Sequence, residues 1–359
     1  MSITKVTSKF SVLGAMSGTS LDGLDLALVT FELNQAGWSF KMQKAICVPY
    51  PAKLTNALEQ GIHMDAAQLT ALDQQLGAFI GEQINMHFQE ESMDFIASHG
   101  HTIFHQPQKG ITLQIGCGRK IHEQTGTPVI YDFRSQDIQL DGQGAPLVPI
   151  GDELLFGAHA ACLNLGGIAN VSFRKNQKRL AFDVMPFNMA LNYLAKLTGK
   201  AFDENGKLAQ SGQQNHGLLE RLNGLTYYEK EIPKSLGIED FHRDWLSLIA
   251  DDNISIQDRL HTYVLHAAKQ IGLALNQHLS KEESVLITGG GTYHLFFIEA
   301  LRQTFHGSVS IPTASLIDYK EALIFAFMGV LRSKGKNNCL ASVTGATRDS
   351  CAGKMVGFS

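Results

Sequence analysis

The chain has 359 residues, of which 44% are hydrophobic and 18% are charged, and its formal net charge is −4. This length is large for a single hydrophobic core and suits two domains of about 100–200 residues each. The small negative charge and the lack of long Lys/Arg runs exclude nucleic acid as the expected partner. The sequence shows no apolar stretch of about 18 residues and no secretory leader pattern, so we expect a cytoplasmic protein without a membrane partner.

The chain opens with the pattern of a β-hairpin. Over residues 10–33, two apolar runs flank a loop that contains glycine, serine and aspartate. A third strand is predicted over residues 38–48. Apolar residues at helical spacing predict a helix over residues 69–80. The apolar run of residues 93–97 then predicts a buried strand, which ends at residues 98–101.

A second cycle of the same pattern starts near residue 159, where a strand runs into a glycine turn and another strand leaves it. The predicted elements of this half are strands over residues 161–165, 168–173, 180–183 and 285–288, and helices starting near residue 186 and running over residues 260–275. Two halves with this shared order indicate a duplicated α/β unit, with a nucleotide in the cleft between the copies. We predict a first domain over residues 1–137, to which residues 320–359 return, and a second over residues 138–319.

The hairpin loop of the first half has the composition of a phosphate-binding loop. Its glycines let backbone N–H groups approach phosphate, its hydroxyls can donate hydrogen bonds, and Asp22 can hold Mg²⁺ directly or through water. Gly, Ser and Asp are also common in ordinary hairpin turns, so the loop alone leaves a structural role open. Two later glycine turns suit the same purpose, and one of them ends a predicted buried strand. The candidate nucleotide-binding residues are Gly18, Thr19, Ser20, Leu21, Asp22, Gly23, Leu24, Asp25, Gly166, Gly167, Gly289, Gly290 and Gly291.

Asp183 is the candidate catalytic residue. It is predicted to end an apolar strand, and Pro186 and Asn188 suit a helix start just beyond it. Strand ends of this kind face the ligand in α/β folds. An ordinary aspartate is ionised near neutral pH and can accept a proton. The structural alternative is that Asp183 caps the start of the helix.

The first loop is part of a longer motif, Gly14-Ala15-Met16-Ser17-Gly18-Thr19-Ser20-Leu21-Asp22-Gly23-Leu24-Asp25. Further blocks follow it in order over residues 98–102, 113–116, 132–134, 142–149, 164–170, 289–291, 321–322 and 343–346. Together these motifs resemble the anhydro-N-acetylmuramic acid kinase family along nearly the whole chain. The resemblance implies an α/β, two-domain actin/hexokinase-like fold, that is, a duplicated ribonuclease H-like unit with an interdomain nucleotide cleft. It also implies a sugar kinase that depends on ATP and Mg²⁺ and forms a homodimer.

The activity that the resemblance implies is the opening of the 1,6-anhydro ring of anhydro-N-acetylmuramic acid by water while the γ-phosphate of ATP passes to O6. The product, N-acetylmuramate 6-phosphate, belongs to cell-wall sugar recycling. Water attacks an anomeric carbon poorly unless a base takes its proton. The resemblance places Asp183 at the position of that catalytic carboxylate. The candidate substrate-binding residues are His99, Arg134 and Asn188.

Arg134 is the candidate for binding the lactyl carboxylate of the sugar, because a guanidinium can meet a carboxylate with two parallel hydrogen bonds. A structural ion pair with Asp132 or Asp137 is an equally good explanation for it. No nearby Cys or carboxylate completes a zinc site with the three histidines of residues 99–105. We therefore expect one of these histidines to bind substrate.

Two regions depart from the family pattern. After Asp183 the family usually has Thr-Gly-Pro-Gly-Asn, whereas this chain has Val184-Met185-Pro186-Phe187-Asn188. Cys117 and His294 replace the usual Asp and Asn. The changes leave the phosphate loops intact, but they are able to alter the choice of sugar or the rate. Two alternatives stay open: a conventional kinase for a related free amino sugar, and a catalytically idle regulator that binds sugar or ATP on the same fold.

Overall fold

The computed structural model describes residues 8–18 and 21–358. Its internal contacts divide the chain into two units that both contain strands and helices. Unit 1 comprises Met1–Leu155 and Tyr319–Ser359, and unit 2 comprises Phe156–Asp318. The prediction of an α/β chain with two domains is confirmed.

The secondary structure of the described residues is numbered in chain order. The strands are β1 (Ser8–Ser17), β2 (Leu24–Asn34), β3 (Gly37–Val48), β4 (Phe95–Gln106), β5 (Ile111–Ile115), β6 (Val129–Tyr131), β7 (Ala161–Leu165), β8 (Ile168–Lys175), β9 (Lys178–Pro186), β10 (Ser284–Thr288), β11 (Ser308–Ser310) and β12 (Lys354–Val356). The α-helices are α1 (Ala52–Gln60), α2 (Ala66–Phe88), α3 (Gly118–Thr125), α4 (Ser135–Gln139), α5 (Pro149–Leu154), α6 (Asn188–Lys196), α7 (Lys207–Ser211), α8 (His216–Asn223), α9 (Ile238–Asp240), α10 (Leu246–Ile249), α11 (Ile256–Asn276), α12 (Leu295–Thr304), α13 (Ala314–Ser333) and α14 (Ala341–Thr344). Within this described part of the chain, no helix has both the length and the apolar character of a membrane span.

The two units repeat one sheet topology. In unit 1 the strands hydrogen-bond in the order β12-β6-β4-β1-β2-β3, with β5 paired to β4, and in unit 2 the order is β11-β10-β7-β8-β9. In each unit the first three strands form an antiparallel meander, β1–β3 in unit 1 and β7–β9 in unit 2. The first strand of each meander also pairs in parallel with a strand that follows a helix, β1 with β4 and β7 with β10. One more parallel strand follows on that side of each sheet: β6 pairs with β4, and β11 pairs with β10. The predicted duplication of an α/β unit is therefore confirmed by topology.

Apolar residues at the predicted spacing build the core of unit 2. The α11 residues with this spacing are all at most 1% exposed and are Leu260, Val264, Ala267, Ile271 and Leu275. They pack with buried residues of the β7–β9 meander in one hydrophobic cluster. Because three to four residues separate these side chains, they share one helix face, which explains why the sequence pattern identified it.

In unit 1, helix α13 packs directly on the first strand. A Cβ atom at Gly14 on β1 would overlap the carbonyl oxygen of Ala322 on α13. Packing against α13 therefore requires glycine at this position of the opening motif. Helix α13 has non-helical backbone angles at Tyr319, just before this contact.

Several boundaries differ from the prediction. Strand β9 does not end at Asp183 but continues to Pro186, because its pairing with β8 resumes after a bulge, and helix α6 starts at Asn188. Asp183 consequently lies inside a strand and does not cap a helix. The division between the units falls after Leu155, later than the predicted residue 137. The reason is that α5 stays packed in unit 1, where Gly151 lies against the side chain of Ile324.

Candidate active site

The predicted phosphate loop connects β1 to β2. Thr19 and Ser20 lie outside the described residues. Leu21 has a φ of 58°, which is unusual for a residue with a branched side chain, and its N–H donates to the carbonyl oxygen of Gly18 over 3.2 Å. Such a backbone is typical of loops that the surrounding fold shapes for a ligand. The side chain of Asp22 is exposed, so its carboxylate is available to a cation.

The end of this loop has a packing role. A Cβ atom at Gly23 would lie 2.7 Å from Sγ of Cys47 and 2.8 Å from the carbonyl oxygen of Val48, so only glycine fits beside β3. Leu24 is fully buried in the core of unit 1, and Asp25 pairs with Met16 in the sheet. The side chain of Leu24 thus faces the core, and only its main chain is available to a nucleotide.

The base of the loop is tied to β4 by a hydrogen bond between Ser17 and His101, one of the three histidines considered for substrate binding. The Ser17 hydroxyl lies 2.9 Å from Nδ1 of His101, and both residues are buried. Burial lowers the pKa of His101, so the ring is neutral at neutral pH and can accept a hydrogen bond from the serine. The two residues stand in separate family-like blocks, and only the parallel pairing of β1 with β4 brings them together.

His99 and Arg134, both predicted to bind substrate, contact each other. Nε of Arg134 donates to Nε2 of His99 over 3.0 Å, and Nδ1 of His99 lies 2.8 Å from the carbonyl oxygen of Gly100. Burial, together with the charge of Arg134, lowers the pKa of His99 to about 3. The neutral ring therefore donates from Nδ1 and accepts at Nε2. Both ring nitrogens are used within the protein, so His99 orients Arg134 and has no nitrogen left for a sugar.

The guanidinium of Arg134 has N–H groups that can donate hydrogen bonds to a ligand. It also donates from Nη1 to the carbonyl oxygen of Gly144 over 2.7 Å, and in the described part of the chain its recorded bonds use two of its five N–H groups. Burial lowers its pKa to about 10, against the opposing charge of Glu321, so it is protonated at neutral pH. Asp132 pairs with Lys354 over 2.8 Å, and Asp137 accepts from the N–H of Gly144 and the Thr344 hydroxyl. The two carboxylates considered as structural partners of Arg134 are thus engaged elsewhere.

Glu321 is a carboxylate to which the sequence analysis gave no role. It is exposed, follows the backbone irregularity of α13, and interacts electrostatically with Arg134. The preceding residue, Lys320, forms a buried ion pair with Asp152 at 2.7 Å, which fixes this part of the helix. The family-like Glu-Ala block was the only sequence signal for it.

A cavity of about 730 Å³ in unit 1 opens beside His99, in the middle of β4, and Tyr131, at the end of β6. Ser98, Gln114, Asp132 and Ser135 contribute polar groups to its wall. The Ser98 side chain is 1% exposed, and its hydroxyl has no hydrogen-bond partner among the described residues. A buried hydroxyl without a partner at a cavity wall is suited to binding a polar ligand or water.

In unit 2, the structure brings the two predicted glycine turns together with Asn188. The carbonyl oxygens of Gly166 and Gly167 accept from the N–H groups at the start of α6, and Nδ2 of Asn188 donates to the carbonyl oxygen of Leu165 over 3.0 Å. Gly289 has a φ of 85°, and a Cβ atom on it would lie 2.9 Å from the same Leu165 oxygen. The turns after β7 and β10 therefore pack backbone against backbone.

Phe187, which replaces a glycine of the family pattern, packs against the buried side of the turn after β10. It is fully buried, its ring lies 4.6 Å from the ring of Phe297, and a Cβ atom at Gly291 would lie 2.5 Å from its edge. The large side chain fills the core under the turn. The change consequently leaves the outer side of the glycine turns open.

Asp183 lies on β9 opposite Asn170, immediately before the bulge. Burial raises the pKa of its carboxyl group from 3.8 to about 6, and the N–H of Leu236, which donates to Oδ2 over 2.9 Å, opposes the rise. The group is ionised at neutral pH and is a stronger base than an ordinary carboxylate. A pKa close to the working pH is what general base catalysis favours.

The family model for anhydro-N-acetylmuramic acid kinase matches residues 10–357. The chain belongs to this family. Anhydro-N-acetylmuramic acid kinase of Hydrogenovibrio crunogenus is 33% identical over 96% of this chain and 97% of that protein. Anhydro-N-acetylmuramic acid kinase of Acinetobacter baylyi is 34% identical over 93% of this chain and 96% of that protein.

Among solved structures, the activator of 2-hydroxyisocaproyl-CoA dehydratase from Clostridium difficile is 12% identical, with a TM-score of 0.42 and coverage of 90% of this chain and 97% of that one. A likeness at this level supports no statement about function. The predicted membership of the anhydro-N-acetylmuramic acid kinase family is confirmed, and with it the assignment to a family of ATP-dependent phosphotransferases. Together with the repeated sheet topology, it confirms the predicted two-domain actin/hexokinase-like fold.

Proposed function

We propose that the chain is a kinase that opens the 1,6-anhydro ring of anhydro-N-acetylmuramic acid with water and phosphorylates O6 from ATP in the presence of Mg²⁺. The product is N-acetylmuramate 6-phosphate. Family membership supports the substrate, and one observation in the structure supports the chemistry: Asp183 is a largely buried carboxylate whose pKa is raised to about 6. A conventional sugar kinase also uses a base, but this reaction needs one that acts on water.

In the proposed reaction, the Asp183 carboxylate takes a proton from water, and the water oxygen forms a bond to C1 of the sugar. The bond between C1 and O6 breaks, and its electron pair stays on O6. O6 then attacks the γ-phosphorus atom of ATP, and the bond from that atom to the leaving ADP oxygen breaks. Asp183 finally releases its proton to solvent. Because the leaving oxygen of the first displacement is the nucleophile of the second, one bound geometry must serve both.

We assign binding roles to individual predicted residues. The glycine turns, Gly166-Gly167 and Gly289 to Gly291, and the loop of residues 18–25 bind the phosphates with backbone N–H groups. Asp22 holds Mg²⁺, since an exposed carboxylate oxygen is a ligand this ion accepts, and a bound Mg²⁺ neutralises phosphate charge. Arg134 binds the lactyl carboxylate with the donors that His99 and Gly144 leave unused. Asn188, whose amide is oriented by Leu165, contributes to the sugar site.

The family resemblance also supports a cytoplasmic homodimer as part of this proposal. Sedimentation of the purified protein tests the oligomeric state, because a dimer has twice the mass of 39.3 kDa. Fractionation of cells tests the location.

The decisive experiment follows the oxygen of water. Purified protein is incubated with anhydro-N-acetylmuramic acid and Mg·ATP in ¹⁸O-enriched water, and the product is analysed promptly, with a control for exchange of the free anomeric hydroxyl. The expected product carries the label at the C1 hydroxyl and none in its phosphate. Phosphorylation of free N-acetylmuramate, with no reaction of the anhydro-sugar, would show that the chain is a conventional kinase. Binding of both ligands without turnover would support an idle regulator.

A further inference from the structure

Strand β9, which carries Asp183, is at the edge of the unit 2 sheet in the strand order of the described residues. Backbone groups that point away from a sheet edge have no strand partner, and buried backbone groups require one. At Asp183 these partners come from residues 227–236, here called the covering segment. The N–H of Asp183 donates to the carbonyl oxygen of Lys234 over 2.9 Å, and the Tyr227 hydroxyl donates to the carbonyl oxygen of Asp183 over 2.7 Å.

The covering segment also holds the carboxylate itself. The N–H of Leu236 donates to Oδ2 of Asp183, so one segment binds the N–H, the C=O and the side chain of a single residue. Catalytic groups need to be placed to within about 0.5 Å of their productive position. Three hydrogen bonds from one segment can provide that precision only if the segment itself is fixed.

Contacts in the core of unit 2 fix the covering segment. Tyr227 is 3% exposed, and its ring lies 5.6 Å from the ring of the fully buried Trp245. The ammonium of Lys234 lies 4.6 Å from the centre of the Tyr227 ring and donates to the carbonyl oxygens of Tyr227 and Tyr228 over 3.1 and 3.3 Å. The Tyr228 hydroxyl lies 2.7 Å from Nε2 of His266. Lys234 therefore ties the two ends of the segment together.

We propose that Tyr227 and Lys234 are positioning residues for the catalytic base, and that they set the place and the proton affinity of the Asp183 carboxylate through the covering segment. This inference rests on the proposed function, which makes Asp183 the base. The structural alternative is that Tyr227 only fills the core and seals the strand edge. The two roles differ in one consequence, because only a positioning residue changes the titration of Asp183 when it is altered.

The direction of that change follows from the charges around Asp183. Burial raises the pKa of Asp183, and the hydrogen bond from Leu236 to the ionised carboxylate opposes this rise. A change that weakens this bond while the covering segment still buries Asp183 therefore raises the pKa above its present value of about 6. Tyr227 stays protonated, because burial and then the charge of Asp183 raise its pKa. Strand β8 places the uncharged Asn170 opposite Asp183. The other ionisable residues of the covering segment and of the turn after it are Tyr228, Glu229, Lys230, Glu231, Lys234, Glu239 and Asp240.

Tyr227→Phe tests the proposal, since it keeps the ring in the core and removes only the hydroxyl. We expect kcat to fall about 10- to 100-fold, the usual effect of misplacing a catalytic group by up to about 1 Å, while KM for ATP and for the sugar changes less than about twofold. The acidic limb of the pH profile of kcat/KM should move to higher pH. Lys234→Met should move it in the same direction and provides a second test, because it removes the ammonium that binds the carbonyl oxygens of Tyr227 and Tyr228.

Tyr263→Phe is the matched control. Tyr263 is also buried, and its hydroxyl donates to a carbonyl oxygen of the same strand, that of Pro186, over 2.6 Å. Its loss removes an equivalent hydrogen bond from β9 at a point that does not hold Asp183. We expect this variant to lose stability and to keep the acidic limb of the wild-type pH profile.

An NMR titration of Asp183, which needs no enzymatic turnover, tests the positioning role independently of the proposed function. Protein labelled with ¹³C at aspartate carboxyl carbons is titrated by NMR, and the Asp183 signal is identified by its absence in Asp183→Asn. The signal should titrate near pH 6 in the wild type and in Tyr263→Phe, and at higher pH in Tyr227→Phe and Lys234→Met. An Asp183 titration that is unchanged in both of the latter variants overturns the positioning role. Full activity of Asp183→Asn would instead refute the base assignment and leave the titration result intact.

Discussion

Asp183→Asn is expected to change the stability of unit 2 in a way that depends on pH. Burial raises the pKa of Asp183 from 3.8 to about 6 in the folded protein, whereas the unfolded chain titrates near the ordinary value. Between these values the folded state binds more protons than the unfolded state, so the free energy of unfolding falls as pH rises. A shift of one pKa unit corresponds to about 1.4 kcal/mol, so ionised Asp183 costs about 3 kcal/mol once the pH is above about 6. Asparagine does not ionise and avoids this cost.

Unfolding of unit 2 can be measured by itself. The chain has two tryptophans, Trp38 on β3 in unit 1 and Trp245 in the core of unit 2. In a Trp38→Phe background, the fluorescence of Trp245 during a denaturant titration therefore reports on unit 2. We expect the free energy of unfolding of Asp183→Asn, relative to its parent, to rise by about 2–3 kcal/mol between about pH 4 and pH 7.

Asp240→Asn is a control for which we expect the opposite dependence of stability on pH. The N–H of Gly237 and then Arg243 hold the pKa of Asp240 below its ordinary value, so ionised Asp240 stabilises the fold and that stability is lost as pH falls. The Asp240 variant should become less stable than its parent as pH rises. A difference between Asp183→Asn and its parent that stays constant from about pH 4 to pH 8, or that decreases over this range, would refute a raised pKa at Asp183.

Four further changes test individual residues of the candidate site. Asp183→Asn should lower kcat about 10²- to 10⁴-fold with ligand affinities nearly unchanged, and steady-state kinetics together with calorimetric binding measurements checks this. Asp22→Ala should change the Mg²⁺ dependence of turnover without removing sugar binding in the absence of nucleotide, and an unaltered Mg²⁺ profile would return the loop to a structural role. Arg134→Lys should raise KM more for the natural sugar than for an analogue without the lactyl group, because an ammonium cannot reproduce the guanidinium fork, and equal effects would indicate a structural arginine. Phe187→Ala should lower the free energy of unfolding of unit 2 by about 3–5 kcal/mol in the Trp245 assay, since it empties a fully buried ring position.

The sequence predicted those parts of the fold that depend on local periodicity. The buried face of α11 and the glycine turns after β7 and β10 were found because the residues that define them are neighbours in the sequence. The duplicated topology was also predictable, since each half repeats the same order of hairpin, helix and strand. Family resemblance supplied what periodicity cannot, namely the substrate and the proposed role of Asp183.

The features that could not be predicted depend on contacts between distant parts of the chain. Asp183 was expected at the end of a strand because a charged residue interrupts an apolar run. Strand β9 continues past it because the covering segment, about 50 residues later, satisfies its edge groups. The use of both His99 nitrogens also depends on a distant contact, because Arg134 follows β6 and reaches a ring that lies in the middle of β4. The unit boundary after Leu155 likewise depends on a contact with α13.

The shared sheet topology of the two units has an evolutionary consequence. Corresponding positions of the two copies carry different chemistry: the first hairpin turn has hydroxyls and the carboxylate of Asp22 in unit 1, but only the glycines Gly166 and Gly167 in unit 2. The third strand is an edge strand in both, and only β9, the copy in unit 2, carries Asp183. A duplicated ancestor would have begun with two equivalent hairpins and two equivalent edges. In the present chain, the residue proposed as a cation ligand and the residue proposed as the proton acceptor therefore lie on different copies.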